Sequence, residues 1–204
     1  MEDQNRIVSW LCDMARIDSP SCHERDMADW MTERLRELGA DEIKEDQAGG
    51  EFNGNCGNLE AVFNATGKGM PSIALAGHLD CVEVCRGVIP SVDNGVVHSA
   101  GHTILGADDK AGLAAVLEGL HKMKEQNIPH GRISFLMTVH EEGGVRGSRA
   151  MDRSFLKGID YAYVLDVNGE PGSICIGAPG QMQIHLEMTG GLPMRAWSLK
   201  RELV

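Results

Sequence analysis

Three apolar runs in this chain are each followed, where the run ends, by side chains that can bind a metal ion or move a proton. A histidine and an aspartate follow the first run, two glutamates follow the second, and one aspartate follows the third. A further pair of aspartates precedes a segment with a helical apolar face. In open α/β sheets the crevice beyond the carboxyl ends of the strands binds ligands, so such residues can converge there. They are His78, Asp80, Asp108, Asp109, Glu141, Glu142 and Asp166.

The residue types in this set indicate a metal site. Carboxylates and neutral imidazoles bind zinc and similar cations, whereas an all-oxygen set favours magnesium or calcium. One histidine with several carboxylates therefore suggests zinc, manganese or cobalt. Carboxylates packed together without a cation would repel one another and take up protons. A site with two metal ions would remove that cost.

Each motif taken singly also has a structural explanation. Glu141 and Glu142 could be a solvated pair at the end of a strand. Asp108 and Asp109 could cap the helix that follows, because acids are favoured in a first helical turn. His78 could be a partly buried histidine with satisfied hydrogen bonds. The joint occurrence of these motifs at successive strand ends favours one common site.

The elements that must position these residues alternate between strand and helix. The runs at 72–77 and 133–139 are typical of buried parallel strands, and the segment 110–124 between them has a helical apolar face. A third run at 161–166 follows a weaker helical segment at 149–156. This order predicts an α/β fold.

The N-terminal part of the chain predicts a helical pair. Apolar residues recur at helical spacing from Ile7 to Leu38, with a break at 18–21. Ser21 and Glu24, three residues apart, predict a capping box for the second helix. Residues 58–63 are predicted to form a strand.

Composition limits the class of protein and its partners. A length of 204 residues fits one folded domain. The formal net charge of -11 argues against nucleic-acid and anionic-membrane partners, because both need a basic face. The six cysteines are scattered without a C-x-x-C pair, which predicts reduced thiols. The N-terminus lacks the pattern of a signal peptide and the chain lacks an apolar run of spanning length, so a cytoplasmic location is expected.

Four short motifs contain the candidate site residues, and they occur in a fixed order along the chain. They are Gly77-His-Leu-Asp80, Leu105-Gly-Ala-Asp-Asp-Lys-Ala-Gly112, Glu141-Glu142-Gly143 and Leu165-Asp166. In this order they resemble the metal and catalytic motifs of the aminoacylase and carboxypeptidase superfamily of di-zinc hydrolases. The second motif is similar to the version found in the peptidase T-like branch, whose members are tripeptide aminopeptidases. The resemblance implies a three-layer α/β catalytic domain with a mostly parallel sheet.

The resemblance also implies a role for each matching residue. His78 and Asp166 would bind the first of two zinc ions, and Asp108 would bridge the two. Glu142 would bind the second zinc. Asp80 would orient the imidazole of the metal-binding histidine, a support that such histidines usually need. Glu141 would be the general base that activates the attacking water. Cobalt or manganese could replace zinc.

The chain departs from the family pattern in several places. Cys81 occupies a position where a threonine is usual, and we expect it to pack near the site without binding metal. After Gly190 the family continues into a lid and dimerisation domain that begins with an Ala-His-Ala-Gly motif, which this chain lacks. With suitable codons, a shifted reading frame restores that motif. We therefore expect residues 1–190 to be the N-terminal part of the catalytic domain, with an out-of-frame tail at 191–204.

The expected function is that of a zinc-dependent exopeptidase that removes N-terminal residues from short peptides. In relatives a later histidine completes the second zinc site, so this chain is expected to be an inactive fragment. A homodimer is expected only for a longer form with the lid. The alternatives are an N-deacylase or carboxypeptidase of the same superfamily, or a non-catalytic fragment.

Overall fold

Two six-residue strands from the predicted apolar runs lie side by side and parallel at the centre of a five-stranded sheet in this computed structural model. The strands are β1 (Glu42–Glu45), β2 (Leu59–Phe63), β3 (Ile73–His78), β4 (Pro90–Asp93), β5 (Val96–Ser99), β6 (Ile133–Thr138) and β7 (Tyr161–Val164). The order in the sheet is β1-β2-β6-β3-β7, and β4 and β5 form a separate antiparallel hairpin. Because β3 pairs in parallel with both β6 and β7, the carboxyl ends of these three strands meet at one edge.

Helices cover both faces of the sheet, with the long helices on one face and short ones on the other. The helices are α1 (Glu2–Ala15), α2 (Arg25–Leu38), α3 (Ala107–Glu125) and α4 (Arg146–Ala150), with short 3-10 helices at Ala48–Glu51 and Arg153–Leu156. The main core combines buried side chains of α1, α2 and α3 with those of β2 and β6, for example Met31, Leu117 and Phe135. A smaller core on β3 and β6 joins Ala74 and Leu136 to Met151 and Phe155. The sheet therefore lies between a layer of long helices and a thinner layer of short ones.

The structure describes residues 2–167, 169–170 and 172–177. The chain divides into two units, 1–168 and 169–204. The fold and the candidate site belong to the first unit. In the second unit, the described residues include a turn in which the N–H of Ser173 donates to the carbonyl of Glu170. The predicted boundary between residues 190 and 191 lies outside the described residues. No described helix combines the length and apolar character that crossing a membrane requires.

The predicted α/β class with a mostly parallel sheet is confirmed. The strand and helix positions shift by a few residues at most, except that the segment 149–156 is a short α-helix followed by a 3-10 helix. The sequence reasoning missed β1 and the β4–β5 hairpin, whose residues are largely exposed. The capping box was wrong: α2 begins after Glu24 without a side-chain cap, and Ser21 bonds elsewhere.

Candidate metal centre

His78, the last residue of β3, is buried, with 2% of its side chain exposed. Its Nδ1 lies 2.9 Å from the backbone carbonyl oxygen of Asp80 and 3.4 Å from the Oδ1 of the same residue. Its Nε2 lies 3.2 Å from Oδ1 of Asp108. Burial lowers the pKa of His78, but the carboxylates of Asp80, Asp109 and Glu141 outweigh it and raise the pKa to about 10. The imidazole therefore contacts Asp80 through Nδ1 and the carboxylate of Asp108 through Nε2.

Asp80 follows β3 by two residues and is fully buried. Its Oδ1 accepts a hydrogen bond from the backbone N–H of Glu141 at 2.9 Å. Its Oδ2 accepts from the N–H of Glu142 at 3.2 Å and from the hydroxyl of Ser21 at 2.5 Å. The carboxylate thus contacts the imidazole and also anchors the backbone of both predicted glutamates.

Glu141 and Glu142 lie in the loop after β6. His140, the residue before them, has a left-handed backbone with φ 52°. The His140 ring packs edge-on against Phe52, with ring centroids 4.7 Å apart. Gly143 is required beside it, because a Cβ at that position would lie 1.7 Å from Cε1 of His140. Burial raises the pKa of Glu141 and of Glu142, and nearby carboxylates raise both further while His78 opposes them.

Asp108 and Asp109 lie at the start of α3, with non-helical backbone angles. The Asp108 side chain is 69% exposed and faces His78. Asp109 is buried, and its carboxylate fills space that side chains at Gly77 and Gly112 would occupy, since a Cβ at either position would approach it within 2.3 Å. Burial raises the pKa of Asp109 to about 7; Asp166 and Asp108 also raise it, and His78 opposes them.

Asp166 follows β7, where the N–H of Leu165 continues the pairing with β3 by donating to the carbonyl of Ala76 at 3.0 Å. Asp166 and Asp108 line the same open cleft beside the start of α3. The third predicted strand end therefore also reaches the site, although β7 itself is exposed along its length.

The predicted metal ligands come together in two overlapping clusters. One contains His78, Asp108 and Glu142, and the other contains His78, Glu141 and Asp166. Within each cluster the candidate ligand atoms lie within 4.8 Å of one another. This grouping differs from the one that the resemblance implies, which places Asp166 with His78 and Asp108. Cys81 is in neither cluster; its buried Sγ lies near the carbonyls of Gly106 and Asp108.

Comparison with known proteins identifies the family. The model of peptidase family M20/M25/M40 matches residues 74–194, which include all six proposed catalytic and metal residues. The chain belongs to this family.

The proteins to which this chain is similar are longer than it is. The chain is 38% identical over 190 residues to the uncharacterized protein YqjE of Bacillus subtilis, and the match covers 93% of the chain and 50% of YqjE. The crystal structure of aminopeptidase PepT from Bacillus cereus superposes with a TM-score of 0.78 at 38% identity. A tripeptidase from Staphylococcus aureus gives 0.77 at 37% identity. Each of these two matches covers 81% of this chain and 44% of the other, so the chain spans about half the length of these relatives.

Sequence reasoning on this M20-family chain missed two supports of the site. The first is the pair Ser21 and Glu24, which was interpreted as a helix cap. The second is the packing of Asp109 between two glycines. The signals were an S-x-x-E motif and the presence of Gly77 and Gly112 near the predicted ligands. The sequence pattern does not show that Ser21 and Glu24 contact distant residues, or that the two glycines make room for Asp109.

Proposed function

We propose that the site belongs to a zinc-dependent exopeptidase that removes N-terminal residues from short peptides. The observation that carries the proposal is the convergence of one imidazole and several carboxylates at the ends of three parallel strands in a chain of the M20 family. The two similar crystal structures at 38% and 37% identity, an aminopeptidase and a tripeptidase, support this substrate class.

We propose His78, Asp108, Glu142 and Asp166 as ligands of two zinc ions. The residues fit such ions because the donor set mixes a nitrogen with carboxylate oxygens and its atoms already lie within 4.8 Å in each cluster. Burial raises the pKa of Glu141 and of Glu142, and repulsion from nearby carboxylates raises it further; positive charge there would relieve this repulsion. When bound, the ions would polarise the scissile carbonyl and make water more acidic.

Glu141 is proposed as the general base. Its carboxylate is partly buried, and burial raises its pKa towards the range in which a group both accepts and returns protons near neutral pH. It would take a proton from the attacking water and deliver it to the leaving amine. Asp80 would keep this residue in place through its backbone N–H and would hold Nδ1 of His78, so that Nε2 points at the ligand cluster.

A cobalt titration of the 204-residue chain, followed by visible absorption, tests the ligand assignment. We expect Asp108→Asn to weaken binding by more than about 100-fold, beyond the loss typical of supporting residues. Glu141→Gln should change the affinity by less than about threefold, since a base is lost but no ligand. Asp93→Asn, in the exposed β4–β5 hairpin, is the control acid. Equal losses for Asp108→Asn and Glu141→Gln would make Glu141 a ligand instead of a base, as its place in the second cluster permits.

A peptide panel tests the substrate class. We propose that the 204-residue chain binds metal without turnover, because among the described residues both clusters depend on the same histidine. The panel should therefore be run on the chain and on a longer polypeptide that continues after Gly190 in the shifted frame. Release of the first residue from tripeptides with a free α-amino group, and none from N-acetylated peptides, is expected of the longer form. Cleavage of the N-acyl group would favour an N-deacylase, and loss of the last residue a carboxypeptidase.

A further inference from the structure

Residues 140–142 in the loop after β6, called here the metal-site loop, have three consecutive backbone N–H groups that each donate to a buried carboxylate from a distant part of the chain. The N–H of His140 donates to Oε1 of Glu24 at 2.9 Å. The N–H groups of Glu141 and Glu142 donate to the two carboxylate oxygens of Asp80. The backbone of the loop is therefore held at three successive positions by two acids.

One short segment between α1 and α2 supplies one of these acids, Glu24, and contacts the other, Asp80. Ser21 donates its hydroxyl to Asp80 at 2.5 Å. Glu24, three residues later, supplies the other carboxylate, whose Oε1 also accepts from the N–H of Cys22 at 3.0 Å. The S-x-x-E motif that predicted a helix cap thus contacts the metal-site loop instead.

Stability alone is a poor explanation for Glu24. Its side chain is fully buried, and among the described residues its Oε2 has no hydrogen-bond partner. An unpartnered buried oxygen destabilises the folded state. The loop it contacts has a matching need, because His140 adopts a left-handed backbone, which is uncommon for residues other than glycine. A hydrogen bond to this N–H holds the backbone in a conformation that it would otherwise leave.

We propose that Ser21 and Glu24 are positioning residues that clamp the loop 140–142, so that the side chains of Glu141 and Glu142 point into the metal cluster. Glu24 acts directly on the loop, and Ser21 acts through Asp80. The order of the loop follows from the contacts themselves, whereas the effect on metal binding and catalysis rests on the proposed function.

Amide hydrogen exchange on the ¹⁵N-labelled 204-residue chain, measured by NMR, tests the clamp. Glu24→Ala should raise the exchange rate of the His140 amide by about tenfold, as expected for one lost hydrogen bond to a charged group. Glu60→Ala is the matched control, because Glu60 is also a buried acid but bonds to Arg132 and Ser134 at the beginning of β6, at the other end of that strand. Its loss should leave the exchange of His140 within about threefold of wild type after correction for global stability.

Conservative variants separate positioning from a general loss of packing. Glu24→Gln keeps an oxygen that can accept from His140, so exchange should return to within about threefold of wild type. Ser21→Ala should raise exchange at Glu141 and Glu142 more than at His140. If Glu24→Ala does not fold, Glu24→Asp, which withdraws the carboxylate by one methylene, is compared with Glu60→Asp in the same way.

Cobalt affinity supplies the second readout. We expect it to fall by about tenfold in Glu24→Ala, the lower end of the range for supporting residues, and to recover in Glu24→Gln. Equal effects of the Glu24 and Glu60 substitutions on the His140 amide would overturn the clamp and leave Glu24 as an ordinary core residue. If the wild-type chain binds no cobalt, the proposed function fails, but the exchange comparison still decides the clamp.

Discussion

The pair His78 and Asp80 combines a raised and a lowered pKa within one buried contact. Burial raises the pKa of Asp80, but hydrogen bonds from His78, Ser21 and the N–H of Glu141 outweigh it and hold the pKa below its usual range. The same carboxylate helps to raise the pKa of His78 to about 10. Without a metal ion, the imidazole therefore stays protonated in the folded chain at neutral pH, whereas it is mostly neutral in the unfolded chain.

This difference predicts a pH dependence of stability in the metal-free chain. A raised histidine pKa stabilises the fold fully below the unfolded value near 6.5, and that stabilisation is lost as the pH rises through about 10. In the presence of EDTA, the free energy of unfolding should fall between pH 7.5 and 8.5 by up to about 1.4 kcal/mol per pH unit from this group. Urea unfolding across this window measures the slope.

His78→Gln is the control for this slope. Burial also raises the pKa of cysteine thiols, that of Cys56 to about 12, and these groups lower stability with rising pH in both proteins. The difference between the two slopes reports the charge of His78 together with its effect on the acids beside it, such as Asp109. Identical slopes in wild type and His78→Gln would mean that the charge of His78 does not contribute to the pH dependence of stability.

At the scale of elements, α3 joins the site to the core. Its first residues, Asp108 and Asp109, face the site, and its later turns pack against α1 and β3 through residues such as Leu113 and Leu117. Two glycines in this helix have opposite surroundings. A Cβ at Gly112 would lie 2.2 Å from Oδ1 of Asp109, whereas a Cβ at Gly119 would meet nothing within 4 Å.

Alanine substitutions at these two glycines should therefore have opposite effects. Gly119→Ala should stabilise the chain by about 0.5–1 kcal/mol, because alanine favours the helix. Gly112→Ala should destabilise it by about 1–3 kcal/mol, because the new methyl group must displace the Asp109 carboxylate or move the helix. Urea unfolding measures both changes. If both variants were stabilised, Asp109 would not be packed between Gly77 and Gly112 as the structure has it.

The elements that could be predicted from the sequence are those whose pattern is local. The runs that became β3 and β6 are continuous and apolar because both of their faces are buried, and the ligands follow them at the shared edge of the sheet. The strands β1, β4 and β5 have four residues each and are partly or fully exposed, so no apolar pattern marks them. Ser21 contacts Asp80, which is 59 residues away, and Glu24 contacts the N–H of His140, which is 116 residues away. No local spacing in the sequence shows contacts over such distances.

At the scale of the whole molecule, the net charge of -11 and the cluster of acids act in the same direction. Burial raises the pKa of Glu141 and of Glu142, and repulsion from the neighbouring carboxylates raises it further. A cation bound only by the folded chain would offset that repulsion and shift the folding equilibrium by mass action.

Zinc should therefore raise the melting temperature of the chain by about 5–10 °C when its free concentration is about 100 times the dissociation constant, which corresponds to roughly 2.7 kcal/mol. Magnesium at the same concentration should have little effect, because it prefers an all-oxygen octahedral site. Thermal unfolding followed by circular dichroism, with and without chelator, measures the shift. The zinc effect should disappear in His78→Gln and persist in His98→Gln, since His98 is an exposed histidine that contacts Asp93 in the β4–β5 hairpin. A zinc shift of the same size in His78→Gln would place the stabilising ion elsewhere on the acidic surface, because the imidazole is common to both candidate clusters.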